Sequence, residues 1–178
     1  MSNTFFKEGL VHVYTGNGKG KTTAAIGLAI RAIGHGAKVH IIFFMKGQFP
    51  YGERVVLSKL PHLSFEVFGH EHLIDPNNVK EENKEQAHKA LRASISAIQG
   101  KRYDLVILDE INVASAWKLI DVEDVLALIR DKPAEVELVL TGRYADRRII
   151  DKANLVTNMD EIKHPYHSGI EARKGIEY

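Results

Sequence analysis

The stretch "YTGNGKGKTTAA" (14–25) constrains the fold of this chain more than any other part of the sequence. It follows the strand-length apolar run "LVHVY" (10–14) and precedes a segment whose apolar residues recur at helical spacing. A phosphate-binding loop has the pattern Gly, four residues, then Gly-Lys-Ser/Thr, between a strand and a helix. The tripeptide at 20–22 satisfies the second half of this pattern, whereas Thr15 stands at the position of the leading glycine. The stretch therefore predicts a strand, an anion-binding loop and a helix, in that order.

The residues of this loop suit a triphosphate. The backbone N–H groups of a glycine-rich loop converge on an anion, and the N-terminus of the following helix adds partial positive charge. Lys21 is expected to reach the phosphates, and the hydroxyl of Thr22 is expected to bind Mg²⁺. The predicted triphosphate-binding residues of the loop are Gly16, Asn17, Gly18, Lys19, Gly20, Lys21, Thr22 and Thr23. The alternative is a glycine-rich turn that only starts a helix, and such a turn has no need for two lysines pointing together.

Strand-like and helix-like segments alternate along the whole chain. Apolar runs of strand length lie at 10–14, 38–44, 63–68, 103–109, 136–142 and 153–157. Between them, helical spacing relates Ala25, Leu28, Ala29, Ala32 and Ile33, then Ala87, Leu91, Ile95 and Ile98, and then Val122, Val125, Leu126 and Ile129. Strands that alternate with helices indicate βαβ units, and runs such as "LVILD" are typical of strands covered on both faces. We expect a doubly wound α/β fold with a mainly parallel sheet, of the phosphate-loop NTPase-like (RecA-like) type.

Composition and punctuation favour a single domain over residues 1–178. No repeat or Pro/Gly/Ser linker interrupts the 178 residues, so 1–8 is predicted as an N-terminal arm and 159–178 as a polar C-terminal tail. Gly, Pro and Asn predict loops at 45–53 and 69–79. The absence of cysteine excludes disulfides and thiolate catalysis, and a net charge of +1 gives no general basic field for nucleic acid. Without a signal-peptide pattern or an apolar run of membrane-spanning length, a cytoplasmic enzyme that does not enter a membrane is expected.

Two adjacent acids follow the apolar run of "DLVILDE". Because ligands bind at the carboxyl ends of parallel strands, Asp109 and Glu110 are expected near the phosphate loop. A carboxylate in this position can hold Mg²⁺, or its water shell, opposite Thr22. The alternative is a pair of acids at an exposed strand end. Together with the loop, the pair predicts a metal site formed by Thr22, Glu110 and Asp109.

Other polar residues have two interpretations each. Arg143, in "TGR", either reaches a leaving phosphate or lies at the surface, and Arg31 is a nucleotide ligand or a solvated helix residue. The imidazoles of His164 and His167 in "KHPYH" either contact substrate or belong to a turn. In "HEH" (70–72), the i, i+2 spacing suits one face of a strand, and no further metal ligands are evident.

Five segments resemble ATP:corrinoid adenosyltransferases of the CobA (BtuR) type. They are "VYTGNGKGKTTAAIGLAIRAIGHG", "DLVILDEIN", "LIDVEDVLALI", "LVLTGR" and "KHPYHSGIEARKGIEY". The resemblance runs in order from about residue 9 to 178, and a threonine at the head of the loop is this family's own form. The closing segment discriminates best, because other phosphate-loop proteins have no reason to carry it.

The resemblance implies transfer of the 5′-deoxyadenosyl group of ATP to the Co(I) of a reduced corrinoid, with release of triphosphate. Co(I) attacks C5′ directly, so no general base is needed, and ATP lies in the loop in the reverse of the usual direction. Lys21, Thr22 and Glu110 are the expected catalytic residues, and the last two match the family's metal-binding positions. Arg31, Arg143 and His164 fall in family-like motifs. The resemblance also implies Mg²⁺ or Mn²⁺, a homodimer and a reduced flavoprotein as electron donor. The alternative from the loop alone is an ATPase or nucleotide-switch module that drives a partner protein.

One segment departs from the family pattern. Well-known members carry Gly-Phe-Thr-Trp after the third strand, whose aromatic residues help to remove the lower cobalt ligand. Here the region reads "FEVFGHEHLIDPNN" (65–78) and has no tryptophan. Phe65 and Phe68 are either buried strand residues or substitutes for those aromatics. Otherwise a residue of 69–75 acts instead, or corrinoids that lack the lower ligand are preferred. Trp117, the single tryptophan, either packs in the core or touches the corrin ring.

Overall fold

Six parallel strands form one sheet in the order β3-β2-β4-β5-β1-β6. The computed structural model describes residues 4–47, 49–70 and 74–178. The strands are β1 (Val11–Thr15), β2 (Val39–Phe43), β3 (Leu63–Val67), β4 (Leu105–Asp109), β5 (Glu137–Thr141) and β6 (Leu155–Asn158). All six apolar runs of the sequence therefore form strands, and the prediction of a parallel sheet is confirmed.

Helices cover both faces of the sheet, as in a doubly wound fold. They are α1 (Lys21–Gly34), α2 (Gly52–Leu57), α3 (Glu81–Gln99), α4 (Ile111–Ala116), α5 (Val122–Arg130) and α6 (Arg147–Lys152). On one face, Ala25 and Ala29 of α1 and Leu57 of α2 pack against the sheet. The other four helices contribute to a second core that contains Ile42, Val106 and Leu138. Strands β2 and β4 are buried along their whole length because both faces are covered.

The carboxyl ends of three adjacent strands bring the polar motifs together. Strands β4, β5 and β1 lie side by side, and Tyr14 pairs with Thr141 while Leu108 pairs with Leu140. The phosphate loop, the acidic pair and the "TGR" turn consequently follow neighbouring strand ends. This position at the edge of an open α/β sheet is where such folds bind ligands, and it is where the sequence predicted the site.

Three short helices have no counterpart in the sequence prediction. The segment predicted as a loop at 45–53 already includes the first two residues of α2, and α4 and α6 also escaped notice. Each has six residues, fewer than two turns, so that an apolar period cannot be recognised. In α2, Val55 and Val56 are moreover exposed, so that its apolar residues do not mark a buried face.

The last twenty residues contain no further strand or α-helix, although Pro165–Ser168 form a 3₁₀ turn. The four residues of β6 are exposed because this strand lies at the edge of the sheet. No helix within residues 4–47, 49–70 and 74–178 has the length and apolar character that would allow it to cross a membrane.

Candidate active site

The phosphate loop connects β1 to α1, and two of its glycines are required by a close backbone contact. A Cβ at Gly16 would lie 2.4 Å from the carbonyl oxygen of Met159, and one at Gly18 would lie 2.6 Å from that of Asp160. The N–H of Gly18 donates to the Met159 carbonyl at 2.6 Å. The absence of a side chain at both glycines thus allows the backbone that follows β6 to pack against the loop. The Gly18 N–H donates to this backbone and is not directed at an anion.

The position of Thr15 explains the missing leading glycine. The positive φ of the loop falls on Gly16 (94°) and Gly20 (115°), so no glycine is needed at residue 15. The buried Thr15 hydroxyl accepts a hydrogen bond from the Ala145 N–H at 3.3 Å. Threonine therefore links the loop to the chain that follows β5.

Lys21 begins α1 and folds back over the loop. Its Nζ donates to the carbonyls of Gly16 (2.8 Å) and Gly18 (2.6 Å), and the side chain is buried. Burial lowers the pKa of Lys21, opposed by the carboxylate of Glu110. The ammonium group therefore lies where the loop curves around an anion.

A buried carboxylate organises the other side of the loop. Asp109 Oδ1 accepts hydrogen bonds from the hydroxyls of Thr22 (2.9 Å) and Thr141 (2.7 Å). Asp109 Oδ2 lies 2.7 Å from Nζ of Lys46. Asp109 is 1% exposed and does not line the cavity described below, so its predicted role as a direct metal ligand has no support from this geometry.

Glu110, the next residue, does face the cavity. It adopts a left-handed conformation (φ 67°), which is uncommon outside glycine. Its backbone N–H donates to the Thr141 hydroxyl at 3.0 Å. Burial and the neighbouring Asp109 charge raise the pKa of Glu110, and Lys46 leads the cations that oppose this effect.

The C-terminal tail lies over the loop. Lys19 Nζ contacts Oε1 of Glu177 (2.8 Å) and the Ile176 carbonyl (3.0 Å). Hydrogen bonds from Arg173 and Lys19 lower the pKa of Glu177 to about 2, so this carboxylate is ionised near neutral pH. Tyr178 packs edge-on against Phe49, with ring centroids 5.2 Å apart. The residues predicted as a polar tail are thus part of the site.

The predicted arginine of the "TGR" turn and the first histidine of the tail also reach the site. Arg143 Nη2 donates to the carbonyl of Asn17 at 3.2 Å, which places the guanidinium beside the phosphate loop. His164 Nδ1 accepts from the Tyr166 N–H at 3.2 Å, so its Nε2 is left as the protonated nitrogen. His167 instead contacts Glu161 in an exposed position.

These groups surround a cavity of about 800 Å³, within the range of small-molecule sites. Its polar wall contains Gly18, Lys19, Gly20, Lys21, Thr22, Thr23, Lys46, Glu110, Arg143 and His164. Its apolar wall contains Ile26, Phe44, Ile74, Val113, Trp117, Tyr51, Tyr144 and Tyr178. Trp117 both packs against the core and lines this wall, so the two interpretations of this residue are compatible.

Some predicted residues lie elsewhere. Arg31 is exposed in α1, nine residues and about 14 Å of helix rise beyond Thr22, and this geometry gives no support to a role in nucleotide binding. Gly16 and Asn17 belong to the loop but do not line the cavity, and their carbonyl groups accept hydrogen bonds from Lys21 and Arg143. In the "HEH" segment, residues 71 and 72 lie outside the described residues, and no cluster of three possible metal ligands occurs within those that are described.

Phe65 and Phe68 belong to the core and not to the site. Phe65 packs edge-on against Phe43 at 6.0 Å, and Phe68 packs against the larger apolar core. Neither residue lines the cavity, which favours their interpretation as strand residues. Ile74, close to the end of the same segment, does line the cavity.

Sequence reasoning missed Lys46 and Thr141. Thr141 ends β5, and Lys46 lies three residues beyond the end of β2. Both strands are neighbours of β4, so the two residues lie at the same end of the sheet as Asp109. The sequence "FFMKG" (43–47) offered this indication, because a lysine that follows a fully buried parallel strand lies at the ligand-binding edge. Their interaction with Asp109 depends on the strand order, which local sequence does not reveal.

The residues at the loop fit a magnesium ion. The Thr22 hydroxyl donates its hydrogen to Asp109 and accepts a long contact from Lys46 Nζ (3.4 Å), so one lone pair remains available. The Glu110 carboxylate faces the same cavity. Hydroxyl and carboxylate oxygens are ligands that Mg²⁺ prefers, with phosphates and water completing the octahedron.

Comparison with known proteins identifies relatives over almost the whole chain. The model of the family "ATP:corrinoid adenosyltransferase BtuR/CobO/CobP" matches residues 7–178. A corrinoid adenosyltransferase from Escherichia coli is 35% identical over 173 residues, covering 97% of this chain and 87% of that protein. One from Sinorhizobium is 37% identical over 183 aligned positions, covering 100% and 84%. The KaiC-like protein PH0186 from Pyrococcus horikoshii has the same fold, with a TM-score of 0.52, 16% identity and coverage of 87% and 74%.

Proposed function

Since the chain belongs to the ATP:corrinoid adenosyltransferase family BtuR/CobO/CobP and is an enzyme that adenosylates corrinoids with ATP, we propose which of its residues perform each part of that reaction. The reacting cobalt belongs to the substrate, and Co(I) attacks C5′ of ATP as the C5′–O bond to triphosphate breaks. The protein must therefore position C5′ and stabilise the charge of the leaving triphosphate. The observation that carries the proposal is the single cavity with a cationic loop on one wall and aromatic side chains on the other.

The loop binds the leaving group. Lys21 exchanges its contacts with the carbonyls of Gly16 and Gly18 for contacts with phosphate oxygens. Arg143 lies beside the loop, so its guanidinium is placed to neutralise a further phosphate charge. His164 lines the same cavity and can donate from Nε2. The charges of Lys21 and Arg143 and the Nε2–H of His164 stabilise triphosphate more than bound ATP, because negative charge on the bridging oxygen increases as C5′ departs.

Thr22 and Glu110 would hold the magnesium ion, for which Mn²⁺ would be a substitute. When bound, the metal neutralises phosphate charge as a Lewis acid. The chain contributes the Thr22 oxygen, oriented by its hydrogen bond to Asp109, and the Glu110 carboxylate at the cavity wall. Asp109 orients the Thr22 hydroxyl instead of binding the metal itself.

The apolar wall receives the adenosyl group and the flat face of the corrin ring. Trp117, Tyr51 and Tyr178 supply aromatic surface there, and aromatic side chains bury large areas against planar ligands. The tail places Tyr178 over the cavity through the contacts of Lys19 with Glu177. This cover would exclude water from the very reactive Co(I) centre. A cytoplasmic homodimer that receives electrons from a reduced flavoprotein completes the proposal.

An anaerobic assay tests this function. Purified protein is mixed with Mg²⁺·ATP and chemically reduced cob(I)alamin, absorbance is followed, and the phosphate products are then separated. The expected result is a light-sensitive alkylcobalamin spectrum with one triphosphate released for each corrinoid adenosylated. ADP and phosphate with an unaltered corrinoid would instead identify an ATPase module. The Lys21→Ala variant is the matched control for activity that does not depend on the phosphate loop.

A further inference from the structure

Lys46 is the most buried cation near the phosphate loop to which no role has yet been given. Its side chain is 12% exposed, and its Nζ lies 2.7 Å from Asp109 Oδ2 but 3.4 Å from Thr22 Oγ1. Burial alone would disfavour the ammonium group, but the Asp109 carboxylate outweighs this effect and raises the pKa of Lys46. The chain therefore maintains a charged pair directly beneath the triphosphate site.

The position of Lys46 is itself well supported. Its backbone N–H donates to the Phe68 carbonyl at 3.0 Å, and its ammonium lies 5.0 Å from the ring centre of Tyr51. Arg54 binds the following carbonyl of Gly47 at 2.7 Å, which fixes the loop after β2. Since β2 is paired with β4, this loop places Lys46 next to the end of β4, where Asp109 lies.

Both oxygens of Asp109 have defined partners. Oδ1 accepts from Thr22 and Thr141, while Oδ2 faces Lys46. Each hydroxyl has a single hydrogen to donate, so donation to Asp109 determines the direction of its lone pairs. Thr141 Oγ1 accepts the Glu110 N–H, while Thr22 Oγ1 accepts a longer contact of 3.4 Å from Lys46 Nζ and keeps a second lone pair for a ligand. One carboxylate therefore orients the Thr22 hydroxyl and, through Thr141, the backbone of Glu110.

A carboxylate that is 1% exposed is costly to bury unless a positive charge is paired with it. Its orientation matters as well, because only Oδ1 accepts the hydrogens of the two hydroxyls. Lys46 supplies the positive charge on the oxygen that the hydroxyls do not use. Its shorter distance to Asp109 than to Thr22 identifies the carboxylate as its main partner.

We propose that Lys46 is a positioning residue for the metal and triphosphate site. Its ion pair with Oδ2 holds the Asp109 carboxylate so that Oδ1 meets the hydroxyls of Thr22 and Thr141, which in turn orients the Thr22 hydroxyl and the backbone of Glu110. This inference rests on the proposed function, because it assumes that these two residues hold the metal of the nucleotide complex. It assigns Lys46 an effect through Asp109 and not through direct contact with phosphate.

A double-mutant cycle with Mn²⁺·ATP as the probe tests the inference. Binding is measured by electron paramagnetic resonance for the full chain and for the variants Lys46→Met, Asp109→Asn and the double variant. Lys46→Met is expected to weaken Mn²⁺ binding about 10- to 100-fold, as is typical for residues that orient metal ligands. In the Asp109→Asn background the same change should cost less than about threefold, because its partner charge is already gone. Lys59→Met, at an exposed lysine after α2, is the matched control and should bind as the parent does.

Each alternative result has a defined meaning. An equal loss on removing Lys46 in both backgrounds would overturn the inference and make Lys46 a direct phosphate ligand. Unchanged Mn²⁺ binding by Lys46→Met would overturn it as well. If Lys46→Met does not fold, as judged by circular dichroism, the comparison of the double variant with Asp109→Asn still decides between the two roles. Failure of the parent chain to adenosylate cob(I)alamin would reject the proposed function separately, because the binding cycle does not require transfer.

Discussion

In the proposed mechanism, the ammonium group of Lys21 is the most direct contact that the chain offers to the triphosphate. Its present acceptors are two carbonyls of its own loop, so phosphate oxygens can replace them without moving the helix. Lys21→Ala should lower kcat/KM for ATP about 100-fold or more, a typical cost for removing one group that stabilises developing charge. Steady-state transfer assays check this, and Lys59→Ala is the control at an exposed position. Unchanged activity would remove the loop from the mechanism.

The charge of Glu110 leads to a prediction about the Mg²⁺ concentration that activity requires. Glu110→Gln preserves the shape of the side chain but removes the charge that is proposed to bind Mg²⁺, so the Mg²⁺ concentration for half-maximal activity should rise about tenfold or more. A Mg²⁺ titration at saturating ATP measures this effect. Glu123→Gln, at an exposed position in α5, is the control. An unaltered titration would show that another group holds the ion.

At the scale of elements, the loop between β1 and α1 must lie against the chain that follows β6. Gly18→Ala would press a Cβ onto the backbone of residues 159 and 160 and should destabilise the fold by about 1–3 kcal/mol while weakening ATP binding. Gly27→Ala is the matched control, since nothing lies within 4 Å of a Cβ there and alanine favours the helix by about 1 kcal/mol. Urea denaturation of both variants measures these opposite effects. Equal stability of the two would contradict the assigned contact.

The C-terminal segment makes a second prediction at this scale. Removing residues 175–178 deletes the Glu177 contact with Lys19 and the Tyr178 contact with Phe49. ATP affinity should fall severalfold while thermal stability changes little, because exposed ion pairs contribute about 0–1 kcal/mol. Trp117 lines the cavity, so its fluorescence reports nucleotide binding. Ile162→Ser, 97% exposed in the same tail, is the control. Full affinity after truncation would exclude the tail from the site.

At the scale of the whole molecule, a buried histidine makes stability depend on pH. His40 lies between Ser64 (Nδ1–Oγ 2.8 Å) and Glu66 (Nε2–Oε1 3.3 Å) and is stacked on Tyr103. Burial lowers the pKa of His40; Arg102 acts in the same direction, while Glu66 and Ser64 oppose the change. The unfolded chain therefore binds the proton more readily, and stability is lost as the pH falls below the ordinary histidine value of about 6.5.

This dependence can be measured by urea denaturation between about pH 7.5 and 5.5. The free energy of unfolding should fall toward the acid end, and the fall should be smaller in His40→Asn, which cannot titrate. His88→Asn, at an exposed histidine of α3, should retain the dependence of the parent chain. An identical pH dependence in His40→Asn would assign the effect to other groups.

Features that depend on local patterns were predictable. The six apolar runs became the six strands, because a parallel strand covered on both faces needs a continuous apolar stretch. The phosphate loop and Glu110 were recognised from their positions at strand ends. Helices of six residues such as α2 and α4 were not predicted, since they are too short to show the helical periodicity of apolar residues. The ion pair of Lys46 with Asp109 and the contact of Met159 with Gly18 were not predictable, because each joins residues that are far apart in the chain.

The sequence by itself determined the α/β class, the location of the phosphate loop and, through its resemblance, the family. These properties depend on spacing within a segment of about ten residues, which the backbone geometry of strands and helices dictates. Only the tertiary structure decided that Asp109 is paired with Lys46, that Arg31 lies away from the cavity and that the tail covers the loop. Such assignments depend on which strands are neighbours, and this order is selected by packing of the whole core.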